Sequence, residues 1–308
     1  MEILLQLGLL ALGFVLLVKG ADWFVDGASN IAAKFKIPQL VIGLTIVAMG
    51  TSAPEAAVSI TAALQGNAEI TIGNIVGSNI LNILIILGLS AAITKLAVAK
   101  STIWIEIPFL LIVTGLLYVQ GLDGTISLVD GLIQLVLFAA YLFYLLIMAK
   151  KFPDENPETP KQLKLWQALL ATVGGLAIVI IGSDLAVDAS TAIARILGLS
   201  ERFIGLTIVA LGTSLPELFT SVAAARKGNA DIAIGNIVGS NIFNILFVVG
   251  LSSLIIPVPF VKDFLFDTII AAGAALLLWL CCLKNRTLKR WHGIVMLLGY
   301  VAYFFVIF

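Results

Sequence analysis

Charge is scarce in this chain. Lys, Arg, Asp and Glu make up 12% of 308 residues, and 18 basic side chains balance 18 acidic ones. That excludes the basic footprint of a nucleic-acid binder. With 60% hydrophobic residues and a mean hydropathy of +1.11 it also excludes an ordinary soluble domain. Cysteine is nearly absent: Cys281 and Cys282 are adjacent inside one apolar run, where neither a disulfide framework nor a zinc site can be built, so they read as small apolar fillers. The single histidine, His292, stands beside Trp291 at the edge of an apolar run and reads as an interfacial anchor. An intramembrane serine hydrolase would need a general base near its serine, and His292 is over seventy residues from Ser214, so the chain does not read as an enzyme.

Long apolar runs are what the chain has instead. A helical span needs about 20 such residues, and ten runs lie at roughly 3–25, 38–64, 69–93, 102–120, 126–149, 165–191, 200–225, 231–256, 264–283 and 290–307. They are continuous rather than alternating, which predicts helices and not a barrel. Met1-Glu2 shows no basic leader or cleavage-type site, so the first run is expected to stay as a span. The one clearly hydrophilic stretch, 150–164, is rich in Pro and charge and reads as a linker between two five-span halves, 1–149 and 165–308. Five is odd, so the second half enters from the opposite side and the halves are inverted copies. The expected fold is an all-α integral membrane protein of ten transmembrane helices, two inverted five-helix repeats with helices 2 and 7 broken. Fourteen Lys and Arg follow odd-numbered spans, only Arg195, Arg202 and Lys262 lie on the other face, and Lys19 sits inside the first span. That asymmetry predicts both termini outside and the linker in the cytoplasm, with the chain in the inner (plasma) membrane.

The halves are copies in detail. The segment from Ile42 to Glu55 returns as Ile204 to Glu217, and Gly66 to Asn82 returns as Gly228 to Asn244, both 162 residues later. Ala48, Thr51, Ser52 and Glu55 fall at i, i+3, i+4 and i+7, as do Ala210, Thr213, Ser214 and Glu217, which puts each set on one helical face. Pro54 removes a backbone donor and is expected to free carbonyls around Ala48 to Gly50 at a depth without water. Ser78 with Asn82, and Ser240 with Asn244, are i, i+4 pairs, while Gly73, Gly77, Gly235 and Gly239 allow close helix approach. Serine and asparagine alone could be interhelical glue. A carboxylate in lipid is too costly to keep without a balancing charge, and no basic residue is near Glu55 or Glu217 in sequence. Hydroxyls, carbonyls and two carboxylates form an oxygen shell suited to hard cations, one divalent or several monovalent. The twelve residues named here, from Ala48 to Asn244, are the expected ion ligands, with no resident cofactor and no obligate protein partner. Asn79 and Asn241, half a turn away, are expected to matter less.

These doubled segments resemble the alpha repeats of the sodium/calcium exchangers, within the Ca²⁺:cation antiporter superfamily. The resemblance covers the entire chain and fits a prokaryotic member without regulatory domains. It implies exchange of Na⁺ for Ca²⁺ by alternating access, with Glu55 and Glu217 binding Ca²⁺ centrally, helped by carbonyls near Thr51 and Thr213. It further implies Na⁺ sites built from the Ala48 carbonyl, Thr51, Glu55 and Ser78, and from Ala210, Thr213, Glu217 and Ser240, the first nearer the cytoplasm. Spans one and six are the helices thought to slide. Several prokaryotic and K⁺-dependent relatives carry Asp where this chain has Asn244, which weighs against K⁺ coupling. The nearest alternative is a Ca²⁺/H⁺ antiporter on the same glutamates, since protons compete for buried carboxylates. A channel is disfavoured by inverted repeats with broken helices. Asp22 and Asp26 recur as Asp184 and Asp188, either as an acidic vestibule or as solvated helix ends with an Asp22–Lys19 pair.

Overall fold

The computed structural model describes residues 2–153, 162–197 and 210–307, and among them every long element is a helix. Where water is absent each backbone N–H and C=O must bond within its own segment, so continuous apolar runs become helices. The elements are α1 (Glu2–Phe35), α2 (Gln39–Thr51), α3 (Ala53–Leu64), α4 (Glu69–Ile93), α5 (Thr102–Asp123), α6 (Leu128–Lys151), α7 (Leu165–Ile196), α8 (Ala210–Thr213), α9 (Leu215–Arg226), α10 (Ala230–Ile255), α11 (Lys262–Leu283) and α12 (Arg290–Ile307). Seven of these are long and apolar enough to cross a membrane, and the bent pair α2 and α3 makes an eighth. The expected seventh span is described only from residue 210, and most of the expected linker, 154–161, lies outside the described residues.

α4 and α10 form the centre, and nearly every residue of the first half of α10 is buried. The outer helices turn Leu, Ile, Val and Phe outward, together with Trp104, Trp166 and Trp291 near helix starts, as expected of a lipid-facing belt with aromatic ends. His292 differs from a simple anchor: it is buried, and its Nδ1 accepts the Lys289 N–H, closing the first turn of α12.

α1 and α7 run antiparallel along a seam of small residues. Gly13, Gly20 and Gly27, seven apart, face Gly182, Val179 and Thr172, and a Cβ at Gly27 would come within 2.5 Å of the Thr172 N. The backbones therefore touch along the seam.

Two short antiparallel ladders tie the ends of the helices together. Leu96–Ala97 (β1) pairs with Thr287–Leu288 (β4), and Thr125–Ile126 (β2) pairs with Val258–Pro259 (β3). Shifting β1 and β2 by 162 residues gives β3 and β4, so each ladder is the repeat image of the other.

Both breaks fall where the chain carries proline. Ser52 leaves helical geometry (φ −81°, ψ 8°), α2 and α3 meet at a 49° bend, and Pro54 sits in the first turn of α3, where its missing N–H costs little. Ser214 does the same (φ −90°, ψ 4°) ahead of Pro216 in α9. Among the described residues four stretches widen to π-helical winding: Gly43–Val47, Asn82–Leu87, Thr102–Glu106 and Asn244–Val249. Two of them start on the mirrored asparagines Asn82 and Asn244, and such widenings are frequent at functional sites.

Candidate cation site

Each break brings a carboxylate to the centre of the bundle. Glu55 is in the first turn of α3 and Glu217 in the first turn of α9, with exposures of 1% and 0%. The break serines hold them crosswise. Ser52 Oγ donates to Glu217 Oε1 at 2.8 Å, and Ser214 Oγ donates to Glu55 Oε1 at 3.2 Å. One-face reasoning grouped each serine with the glutamate of its own copy; in space each serves the glutamate of the other.

What these groups leave unbonded defines the chemistry. Glu55 Oε2, Glu217 Oε2, Asn82 Oδ1, Asn244 Oδ1 and Thr213 Oγ1 are buried with no hydrogen-bond partner. Among the described residues neither glutamate has a basic partner; Lys227 pairs instead with Asp22 and Asp26. Buried anions and orphaned acceptors without a counter-charge suit a hard cation bound through oxygen.

The remaining expected ligands are distributed unequally. Thr51 is fully buried, its Oγ1 lying 3.0 Å from Asn236 Oδ1 and 3.1 Å from the Val47 carbonyl. Ser78 and Ser240 are buried one turn before the asparagines. Ala48 departs from expectation. Its carbonyl keeps the helical bond from the Ser52 N–H at 3.0 Å and lies 3.3 Å from Ser240 Oγ. The carbonyl deprived of a helical donor by proline is four residues earlier than it, at Gly50, and its image at Gly212 accepts from Ser183 Oγ at 2.8 Å. Ala210, at the mirrored position of Ala48, is the first described residue of α8.

Four further asparagines belong to the site. Asn74 Nδ2 donates to the Glu55 carbonyl (3.2 Å) and Ser59 Oγ (3.0 Å), and Asn236 Nδ2 donates to Ser221 Oγ at 2.9 Å. Asn79 and Asn241, assigned a lesser role above, bond directly to each other's backbone and to the candidate ligands Asn244 and Asn82. The sequence signal was available: all four recur unchanged 162 residues apart.

The two sides of the site differ. On the side of the linker, α10 closes tightly on α2, and a Cβ at Gly239 would meet Leu44 Cα at 2.8 Å. Gly235, Asn236 and Gly239 are buried, whereas their images Gly73, Asn74 and Gly77 are wholly or partly exposed. A cavity of about 570 Å³ reaches the breaks from that second side, bordered by Pro54, Asp184, Asp188, Gly212 and Thr213.

The four aspartates divide accordingly. Asp22 and Asp26 are held by Lys227, not Lys19: Lys227 Nζ lies 2.7 Å from Asp26 Oδ1, 2.7 Å from the Asp22 carbonyl and 3.4 Å from Asp22 Oδ1. Asp184 and Asp188 border the cavity, and the repeat image of Lys227 is the neutral Gln65.

Comparison with known proteins gives matches across the chain. A family model described as sodium/calcium exchanger protein matches residues 5–147 and 167–308. The sodium/calcium exchanger MaX1 of Methanosarcina acetivorans is 33% identical over 97% of each chain. The inner membrane protein YrbG of Escherichia coli strain K12 is 37% identical over 90% of this chain and 89% of its own length. A solved structure of the sodium-calcium exchanger NCX_Mj, soaked with zero Na⁺ and Ca²⁺, superposes with a TM-score of 0.88 at 35% identity, covering 99% of this chain and 100% of that one.

Proposed function

This chain belongs to the sodium/calcium exchanger protein family, and from that premise we propose how its own residues carry out Na⁺/Ca²⁺ antiport. Glu55 and Glu217 neutralise one Ca²⁺ between them. The neutral oxygens of Thr51, Ser78 and Asn82, and of Thr213, Ser240 and Asn244, complete the shell and take up Na⁺ when Ca²⁺ leaves. Ser52 and Ser214 orient the carboxylates from across the repeat boundary, leaving one oxygen of each for the ion. The Ala48 and Ala210 carbonyls flank the pair.

One observation carries this reading: two fully buried carboxylates, each with an unpartnered oxygen and no basic partner among the described residues, at mirrored helix breaks. It also explains why transport is exchange. Closing the site empty would leave two uncompensated anions out of water, at a cost of several kcal/mol per ion. The carrier therefore changes sides loaded with one ion set or the other.

The layout that serves this cycle is ten spans in two inverted halves, 1–149 and 165–308, in the inner membrane, with the 150–164 linker cytoplasmic and both termini outside. The repeat-imaged ladders and the fourteen-to-three distribution of basic residues support it. With that orientation the 570 Å³ cavity opens outward, and sliding of α1 and α7 along their small-residue seam exchanges the open side. Export of Ca²⁺ follows from an inward Na⁺ gradient.

Calcium uptake into inverted membrane vesicles tests the coupling ion. Uptake should follow an imposed Na⁺ gradient; uptake that follows a pH gradient and ignores Na⁺ would assign the same glutamates to Ca²⁺/H⁺ exchange.

A further inference from the structure

We infer that Asn79 and Asn241 are positioning residues that lock the amides of Asn82 and Asn244 with their oxygens turned to the transported cation, each acting on the asparagine of the opposite repeat. The inference rests on the reading of Asn82 and Asn244 as ion ligands.

The argument is one of donors and acceptors. Asn79 Nδ2 lies 3.1 Å from the Asn241 backbone carbonyl, and Asn241 Nδ2 lies 3.1 Å from the Asn79 carbonyl. A carbonyl oxygen can only accept, so the NH₂ branch of each amide must face it and neither amide can turn over. That fixes the Oδ1 of both as acceptors. Whatever bonds them must donate: Asn82 Nδ2 does so to Asn241 Oδ1 at 2.9 Å, and Asn244 Nδ2 to Asn79 Oδ1 at 3.2 Å. The NH₂ branches of Asn82 and Asn244 are thereby consumed, and their Oδ1 atoms are left buried and unpartnered.

All four side chains are at most 3% exposed, so no water competes for these bonds. An amide turned the wrong way would present N–H dipoles to the cation and oppose two oxygens across the clasp. The clasp thus turns two residues with ambiguous amides into two defined oxygen ligands, in the way that outer partners orient metal ligands elsewhere. Its crosswise pattern also couples the repeats: the ligand of one half is set by a residue of the other.

Calcium binding to the purified protein, measured by titration calorimetry, tests this. Asn241→Leu should weaken Ca²⁺ binding about 10–100-fold, the range for loss of an outer partner. Adding Asn82→Asp should restore most of that loss, because a carboxylate has an oxygen on both branches; adding Asn244→Asp should not. For Asn79→Leu the rescue should reverse, with Asn244→Asp effective and Asn82→Asp not. If the leucine variants do not fold, the smaller Asn241→Ala and Asn79→Ala decide by the same crossed pattern of rescue, Asn82→Asp restoring binding in the first and Asn244→Asp in the second. Parental binding in Asn241→Leu and Asn241→Ala, or equal rescue by either aspartate, would overturn the inference. Unchanged Ca²⁺ binding in Asn82→Ala would instead overturn the ligand reading beneath it.

Discussion

Lys227→Met is expected to loosen the linker-side closure of the site. The Lys227 ammonium reaches Asp26 Oδ1 at 2.7 Å, the Asp22 carbonyl at 2.7 Å and Asp22 Oδ1 at 3.4 Å, joining the end of the α9 span to α1. Side-chain exposures are 21% for Lys227, 23% for Asp26 and 41% for Asp22. A fully exposed pair contributes about 0–1 kcal/mol, and a hydrogen bond to a charged group about 1.5–3 kcal/mol. Partial exposure places the cluster between these, at about 1–2 kcal/mol, with the Asp22 arm the weaker. If these contacts exist only while the linker side is closed, losing them shifts the access equilibrium about 5–30-fold. A cysteine at Ala224, buried on α9 one turn before Lys227, in a background without Cys281 and Cys282, reports it. Its labelling by a thiol reagent from the linker side should speed up by that factor in Lys227→Met and in Asp26→Asn. Gln65→Lys, which gives the other side the missing cation, should bias the equilibrium the same way by holding that side shut. Labelling unchanged by Lys227→Met, or raised there but not by Asp26→Asn, would refute the reasoning.

Three further outcomes are expected. Ser52→Ala should weaken Ca²⁺ binding through Glu217, by about 10-fold or more for loss of a bond to a charged acceptor, and should add little to Glu217→Gln in a double-mutant cycle. Exchange should be electrogenic, because the neutral oxygens flanking the glutamates accept more Na⁺ than the two that charge balance requires. Proteoliposomes held at set potentials should then show rates that change with voltage at about 2.3 kcal/mol per elementary charge per 100 mV, whereas voltage-independent rates would contradict it. A cysteine in the 153–160 segment, most of which lies outside the described residues, should react with an impermeant thiol reagent only from the cytoplasmic side, and labelling in intact cells would contradict the orientation.

Much of the site was legible because the chain repeats itself. The position of both glutamates, the prolines that break their helices and the asparagine pairs one turn beyond the serines all followed from local spacing. What was not legible is what passes between copies. Periodicity relates residues on one helix, so it grouped Ser52 with Glu55 and could not see its bond to Glu217. The same limit hid the contacts of Asn79 and Asn241, which bond to the backbone and the asparagines of the other copy. Asp22 was paired with Lys19 on i, i+3 spacing, while the cation it meets is 205 residues away in sequence. Carbonyls around Ala48 to Gly50 were expected to be freed by Pro54; the bond that proline removes is that of Gly50, at the end of this range, while the Ala48 carbonyl keeps its helical bond. The π-helical widenings at Asn82 and Asn244 were not foreseen, because apolar periodicity over five or six residues does not separate α from π winding.

The most direct test is Na⁺-driven Ca²⁺ flux in proteoliposomes carrying Glu55→Gln or Glu217→Gln, with folding of each variant checked by size-exclusion elution and thermal melting. Each substitution keeps shape and removes half the negative charge that balances a divalent ion in a low-dielectric site. The account predicts loss of Ca²⁺ flux in both folded variants, with the serine bonds to the remaining amide oxygen no substitute for the charge. Parental Ca²⁺ flux in either folded variant would contradict it.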